Sequence, residues 1–182
     1  MVNIYKQEFT VLQQEILRLL FVKLGDVMTM RKIAQLLSVS PPAVAKALPG
    51  LAEKEYVKLA QDKETKRWSV ELNRDSPRAV QLKRVDNLKQ LYESGLADML
   101  IREFAGGTII LFGSFSRGED TLSSDIDIAV IGRKEKDVDL EKFNLLIERT
   151  INVQFYDSFE KIHKHLRENL CNGIVLTGGV EL

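Results

Sequence analysis

Cysteine is nearly absent from this sequence. Cys171 is the only one in 182 residues, so neither an internal disulfide nor a thiolate zinc cluster can form within the chain. A lone thiol of this kind is expected as a small buried apolar side chain. Charge of one sign is missing too: Lys and Arg number 26, Asp and Glu 26, against 45% hydrophobic residues. That balance excludes a disordered acidic chain and a uniformly basic nucleic-acid coat. No stretch approaches the roughly 20 consecutive apolar residues of a membrane helix. The opening MVNIYKQEFT lacks the basic-then-apolar layout of a signal peptide. These absences lead us to expect a cytoplasmic protein with no membrane partner. Internal repeats and low-complexity tracts are missing as well.

What is present divides in two. Residues 1–75 hold 12 Lys and Arg against 9 Asp and Glu, a balance of +3, whereas residues 76–182 hold 14 against 17, or −3. In the first part, Val11, Leu12, Ile16, Leu19, Leu20 and Val22 recur at helical spacing over Glu8 to Leu24, with Gly25 as terminator. Thr29 caps a second helix through Leu37, and Ser38-Val39 makes a short turn. Ser40 caps a third helix, whose Pro41 and Pro42 are tolerated only in a first turn. Pro49-Gly50 should stop or kink that helix. Tyr56 to Leu59 and Trp68 to Leu72 read as strands joined by the polar turn Gln61 to Arg67.

Three helices and a hairpin, with the phrase IAQLLSVSPPAVAKALPGLAEKEYVKL, resemble a winged helix-turn-helix domain over residues 5–75. A helix of this size fits the major groove, and Lys46, Lys54, Lys63, Lys66 and Arg67 are placed to reach the phosphates of duplex DNA. Reading of base edges is not visible, since Ala43, Ala45 and Ala47 supply no hydrogen bonds. The alternative is a winged helix used for protein contacts alone.

Ser76-Pro77 opens the second part as cap and first helical residue. A helical pattern follows through Val85, Leu88, Leu91, Tyr92, Leu96, Leu100 and Phe104, split at Ser94-Gly95. This stripe is expected to cover a sheet; a homodimer seam is the other use of such a face. Thr108 to Phe112, Asp125 to Ile131 and Ile151 to Tyr156 read as strands, Val138 to Glu148 and Phe159 to Leu170 as helices.

Chemistry concentrates in FGSFSRGEDTLSSDIDIAVIG, residues 112–132. Gly113-Ser114 is followed by ten residues and then Asp125-Ile126-Asp127. Strand alternation puts both carboxylates on one face while Ile126, Ile128 and Val130 anchor the strand. Two anions so close are costly unless a cation sits between them, and hard oxygen ligands suit Mg²⁺ shared with a nucleotide's phosphates. Gly113 lets backbone approach a phosphate, and the Ser114 hydroxyl can bond to it.

A GS pair, ten residues and DxD, with Arg117-Gly118 between, resemble the nucleotidyltransferase superfamily that includes polymerase beta, most closely its minimal members, over about residues 85–170. The resemblance implies an α+β chain: the winged helix first, then a nucleotidyltransferase fold with a mixed sheet flanked by helices. It assigns nucleotide phosphates to Gly113 and Ser114, with Arg117 organising the turn or touching phosphate. It assigns metal binding and catalysis to Asp125 and Asp127. Where family enzymes commonly carry a third carboxylate, the strand INVQFYD offers Asn152, which can ligate a metal but cannot act as a base. Asp157 falls on the opposite face by alternation. Glu119 or Asp120 is then the candidate to activate an acceptor.

The expected activity is transfer of a nucleoside monophosphate from a nucleoside triphosphate, ATP first, to a hydroxyl of a protein, nucleic acid or small molecule. Minimal members often act beside a partner toxin protein, so the resemblance makes protein nucleotidylation a candidate. The alternative is a DNA-binding transcriptional regulator whose second domain has lost transfer activity and senses nucleotide. GSFSRGED is not a phosphate-binding loop of the NTPase kind, because Glu119-Asp120 stands where Lys then Ser or Thr is required. His163 and His165, two apart on an expected helix, should point to different faces.

Overall fold

The structure, a computed structural model, describes residues 8–64 and 66–180. Residues 5–7 of the expected winged-helix span and residue 65 of the hairpin turn lie outside the described residues. The chain divides into two compact units meeting between Ala79 and Val80.

In the first unit, α1 (Val11–Val22) starts at a capping box in which Gln13 N donates to Thr10 Oγ1 and Thr10 N to Gln13 Oε1. It buries Ile16, Leu17, Leu20 and Phe21. A two-residue strand that the sequence reading lacks, β1 (Met28–Thr29), leads into α2 (Met30–Leu36), capped by the Thr29 hydroxyl. Ser40 caps α3 (Pro41–Glu53). Contrary to expectation, α3 runs through Pro49 without ending. Val44, Leu48 and Leu51, each 0% exposed, hold the helix into the core on both sides of the proline. Three such side chains, at roughly 1.5–3 kcal/mol each, outweigh the ~3 kcal/mol cost of an interior proline. Strands β2 (Val57–Gln61) and β3 (Trp68–Leu72) form the hairpin, and β1 adds to β3, giving an antiparallel sheet in the order β1-β3-β2. This is a winged helix.

The second unit is built on α4 (Pro77–Glu93), which begins three residues before the unit boundary, and α5 (Leu96–Glu103). The two helices break at Gly95, as expected. Leu91, Leu96, Leu100 and Phe104 are buried, whereas Val85 and Tyr92 face solvent. Strands β4 (Thr108–Phe112), β5 (Ile126–Ile131), β6 (Ile151–Tyr156) and β7 (Ile174–Thr177) form one sheet, ordered β6-β5-β4-β7. Only β5 and β6 run parallel, so the sheet is mixed. Between β4 and β5 lies the short α6 (Gly113–Arg117), and α7 (Glu141–Ile147) precedes β6.

Period-two alternation gives the sheet two faces. Ile109, Leu111, Ile126, Ile128, Val130 and Ile151 enter the core with α5 and α7. Ile110, Phe112, Ala129 and Ile131 pack instead with Phe159, Ile162 and Leu170.

Three expectations need correction here. Helix α7 starts at Glu141 rather than Val138, because Val138 and Leu140 already pack against the core from the preceding segment and Asp139 Oδ1 accepts from Glu141 N. The final helix is interrupted: a 3₁₀ turn at Phe159–Lys161 is followed by extended backbone and then α8 (Lys164–Cys171), with the unforeseen edge strand β7 after it. Cys171 is exposed at the end of α8, not buried. Among the described residues no helix is long and apolar enough to cross a membrane.

Candidate functional site

The pattern IDIAVI sends Ile126, Ile128 and Val130 into one core and leaves Asp127 on the other face, so β5 presents a carboxylate at its start. In-register parallel pairing sets Asn152 of β6 beside Asp127. From there Asn152 Nδ2 donates to Asp125 Oδ2 at 3.1 Å. Asp125 is exposed and Asp127 half-buried. Burial pushes the Asp127 carboxyl above the ordinary aspartate range; the Asp125 charge adds to this, and the Asn152 amide partly offsets it.

Antiparallel pairing of β4 with β5 brings Phe112 opposite Asp127, so Gly113 arrives at the carboxylate. Gly113 has φ +74°, and a Cβ there would stand 2.5 Å from Asp127 Oδ2. Only glycine lets backbone and carboxylate lie this close. The turn is closed by Glu119 N donating to the Ser114 carbonyl at 3.0 Å and by Ser116 Oγ donating to the Gly113 carbonyl at 2.9 Å. The Ser114 hydroxyl, half-buried, makes no hydrogen bond among the described residues.

Arg117 is spent on the turn itself: its Nε donates to Glu119 Oε2 at 2.8 Å. Asp120 is not a base for an acceptor. It is 0% exposed, bonded to Lys83 at 2.8 Å and to Asn87 at 2.7 Å. Burial pushes the Lys83 ammonium below the usual lysine range, and Asp120 opposes that shift. Asp157 is tied to Lys161 at 3.0 Å.

Missed by the sequence reading were Gln154 and Tyr156, which share the Asn152 face of β6; the Tyr156 hydroxyl is 2.6 Å from Gln154 Oε1. Alternation within INVQFYD was the signal for them. Lys83 and Asn87 were also missed. His163 precedes α8 rather than lying within it, so its ring comes to 5.4 Å from that of His165, contrary to the expected divergence. Among the described residues no cluster of three His, Cys, Asp or Glu side chains could hold a metal.

Asp125 and Asp127 do fit one hard divalent cation. Both are oxygen donors, and the Asp125 charge adds to the cost of ionising Asp127, which a cation relieves. Beside Asp125 opens a groove of about 300 Å³ lined by Leu122, Ser124, Asn144, Leu145 and Thr150. A larger cavity of about 410 Å³ lies at the far end of β5, by Ile131 and Gly132. It is remote from the carboxylate pair, so the smaller groove is the relevant one.

Of the basic residues in the first unit, Lys46 is exposed on α3, and Lys63, Lys66 and Arg67 are exposed in the hairpin turn. Lys54 is held elsewhere, 3.2 Å from Glu8 Oε1 and over the Phe9 ring. The exposed residues of α3 are Pro41, Pro42, Ala45, Lys46, Pro49 and Glu53, so before its last residue Lys46 is the one exposed side chain able to hydrogen-bond.

Residues 96–179 match the family model "Polymerase beta, Nucleotidyltransferase". No curated protein matches the chain. Solved structures similar to it include a ZitR variant from Lactococcus lactis, at 25% identity over 58% of this chain and 68% of that one, TM-score 0.42. The adhesin competence repressor AdcR from Streptococcus pyogenes is 21% identical over 57% and 72%, TM-score 0.42. The S. aureus MepR–DNA complex is 24% identical over 53% and 82%, TM-score 0.38.

Proposed function

We propose that residues 76–182, within which residues 96–179 match the polymerase beta nucleotidyltransferase family model, bind a nucleoside triphosphate with Mg²⁺ and transfer its nucleoside monophosphate to a hydroxyl acceptor. The observation that carries this is the contact of Gly113 with Asp127, a side-chain-free backbone turn laid against a carboxylate pair. Gly113 admits the triphosphate close to the main chain, and the Ser114 hydroxyl donates to a phosphate oxygen. Asp125 and Asp127 would hold Mg²⁺, which when bound offsets phosphate charge. Asn152 orients Asp125 through its amide.

In the transfer, the acceptor oxygen bonds to the α-phosphorus, the bond from that phosphorus to the bridging oxygen breaks, and pyrophosphate leaves with that electron pair. The acceptor's proton passes to solvent or to a carboxylate. The groove beside Asp125 is the acceptor's place in this reading, and a partner protein is one acceptor class to test.

Residues 1–75 take duplex DNA in the same proposal. Lys46, Lys63, Lys66 and Arg67 contact phosphates, while the Pro and Ala face of α3 leaves base edges largely unread. The cell compartment we assign is the cytoplasm.

Incubation of the protein with labelled triphosphates, Mg²⁺ and cell extract tests transfer, and calorimetry tests binding. Metal-dependent ATP binding that survives Asp125→Asn with Asp127→Asn would place the site elsewhere. A second reading, a DNA-binding regulator that senses nucleotide without transferring it, is favoured by one observation: Asn152 stands beside the acids, and among the described residues no third carboxylate joins them. Asn152→Asp separates the two. It raises transfer from a low level if the missing carboxylate limits catalysis, and leaves a highly active wild type unimproved otherwise.

A further inference from the structure

Under the glycine turn lies a buried polar cluster that the proposed transfer does not use. Lys83, Asn87, Asp120 and Arg149 are 1%, 4%, 0% and 6% exposed. Lys83 Nζ lies 2.8 Å from Asp120 Oδ1 and donates to Asn87 Oδ1 at 3.2 Å. Asn87 Nδ2 donates to Asp120 Oδ1 at 2.7 Å and to the Phe115 main-chain carbonyl at 2.9 Å. Arg149 reaches Asp120 Oδ2 at 3.6 Å.

Burying three charged groups is an inefficient route to stability, since well-packed apolar side chains of the same volume serve as well or better. What the cluster supplies is geometry. Asn87 grips α6 at Phe115, one residue after Ser114. Asp120 anchors the other end of the same turn. Arg149 sits three residues before Asn152, and the neighbouring Thr150 carbonyl accepts from Ile126 N at 2.8 Å, beside Asp125. Three separate segments that carry Ser114, Asp125 and Asn152 are thus tied to one face of α4.

We infer that Asn87 and Lys83 are positioning residues of the nucleotide site: acting through Asp120 and the Phe115 carbonyl, they set the place of the Gly113-Ser114 turn relative to the Asp125–Asp127 pair. The inference rests on the nucleotide-binding function proposed above. It separates two parts of the site. The turn is bonded to the cluster directly, at Phe115 and Asp120, whereas Asp127 sits on β5, paired on both sides, and the Asp125 segment meets the cluster only at second hand, through Thr150 beside Arg149.

The test uses the full chain with Asn87→Leu, an isosteric change that removes both donated bonds, and Lys83→Met. Mg²⁺–ATP affinity is measured by calorimetry and Mn²⁺ affinity, without nucleotide, by electron paramagnetic resonance. Expected for Asn87→Leu is a loss of Mg²⁺–ATP affinity of about tenfold or more, with Mn²⁺ affinity within about twofold of wild type; Lys83→Met follows in the same direction. General loosening of the fold moves both affinities together, so a parallel loss overturns the inference. Should Asn87→Leu fail to fold, Asn87→Ser removes the same bonds without apolar bulk, and a folded Asn87→Ser protein with wild-type Mg²⁺–ATP affinity overturns it as well. A wild type that binds no Mg²⁺–ATP overturns the proposed function and this inference with it. Binding that persists unchanged in the variants overturns the inference alone.

Discussion

Gly113 and Gly118 bracket the same turn with nearly the same backbone angle, φ +74° and +75°, yet alanine at the two positions should have unequal effects. At either site the left-handed conformation costs a non-glycine residue about 1–2 kcal/mol. The added methyl meets different neighbours. At Gly113 it stands 2.5 Å from Asp127 Oδ2, a side-chain atom that can rotate away. At Gly118 it stands 2.5 Å from the Val80 carbonyl and 2.8 Å from Arg84 N, both helix backbone. Backbone of α4 cannot yield without shifting the buried cluster it carries, so overpacking adds about 1–3 kcal/mol.

Gly118→Ala should therefore lose about 2–5 kcal/mol and Gly113→Ala about 1–2 kcal/mol. For a unit of this size each kcal/mol is roughly 4–8 °C in Tm. Gly118→Ala should melt at least about 8 °C below wild type, and Gly113→Ala should melt higher than that variant while binding Mg²⁺–ATP worse. Urea denaturation followed by circular dichroism, with thermal melts alongside, measures both. Equal stabilities for the two variants, or a Gly118→Ala protein within 1 kcal/mol of wild type, would refute the claim that α4 backbone limits the turn.

Asp127→Asn should stabilise the protein when no ligand is bound. The Asp127 pKa is raised in the fold, so its favourable contribution is present below the unfolded value and lost as pH rises through the folded one. At neutral pH the substitution should recover roughly 0.2–1 kcal/mol, discounted for solvent screening, and the gain should vanish in melts run below about pH 4. Pro49→Ala restores a donor to the Ala45 carbonyl within α3 and should raise stability by about 1–3 kcal/mol; a loss in urea titrations would mean that the proline ring itself packs. Removing Lys66 and Arg67 together should flatten the slope of log DNA affinity against log salt by about 0.9 per lost phosphate contact, and gel shifts showing no retention at any salt would end the DNA proposal.

Much of the candidate site could be read along one strand. Asp125, Asp127 and the Gly113-Ser114 turn follow from short-range rules of alternation and spacing, and Asn152 follows from the neighbouring strand. Asp120 could not be read this way. As a turn carboxylate it looked available, and only Lys83 and Asn87, more than thirty residues earlier, make it a buried anchor. Nor does local sequence separate the buried positions of α4 from Val85 and Tyr92, because a fully enclosed lysine breaks the apolar stripe on which such a distinction depends. Pro49 failed as a helix stop for a related reason: a local penalty was outweighed by three buried contacts of α3. Strand β7 and the exposed Cys171 depend on how the end of the chain returns to the β4 edge, information that lies outside their own sequence neighbourhoods.

The homology boundary and the physical boundary of the second unit do not coincide. The family match begins at residue 96, whereas the lysine and asparagine that neutralise and bond Asp120 are at 83 and 87. A fragment cut at the homology boundary would retain Asp120 with its partners on α4 deleted. Breaking such a pair costs about 3–5 kcal/mol, a large share of the roughly 5–15 kcal/mol that holds a domain together. Such a fragment would misrepresent the domain as unstable. Expression that starts at Ser76, taking α4 whole, keeps Asp120 with the Lys83 and Asn87 side chains that hold it.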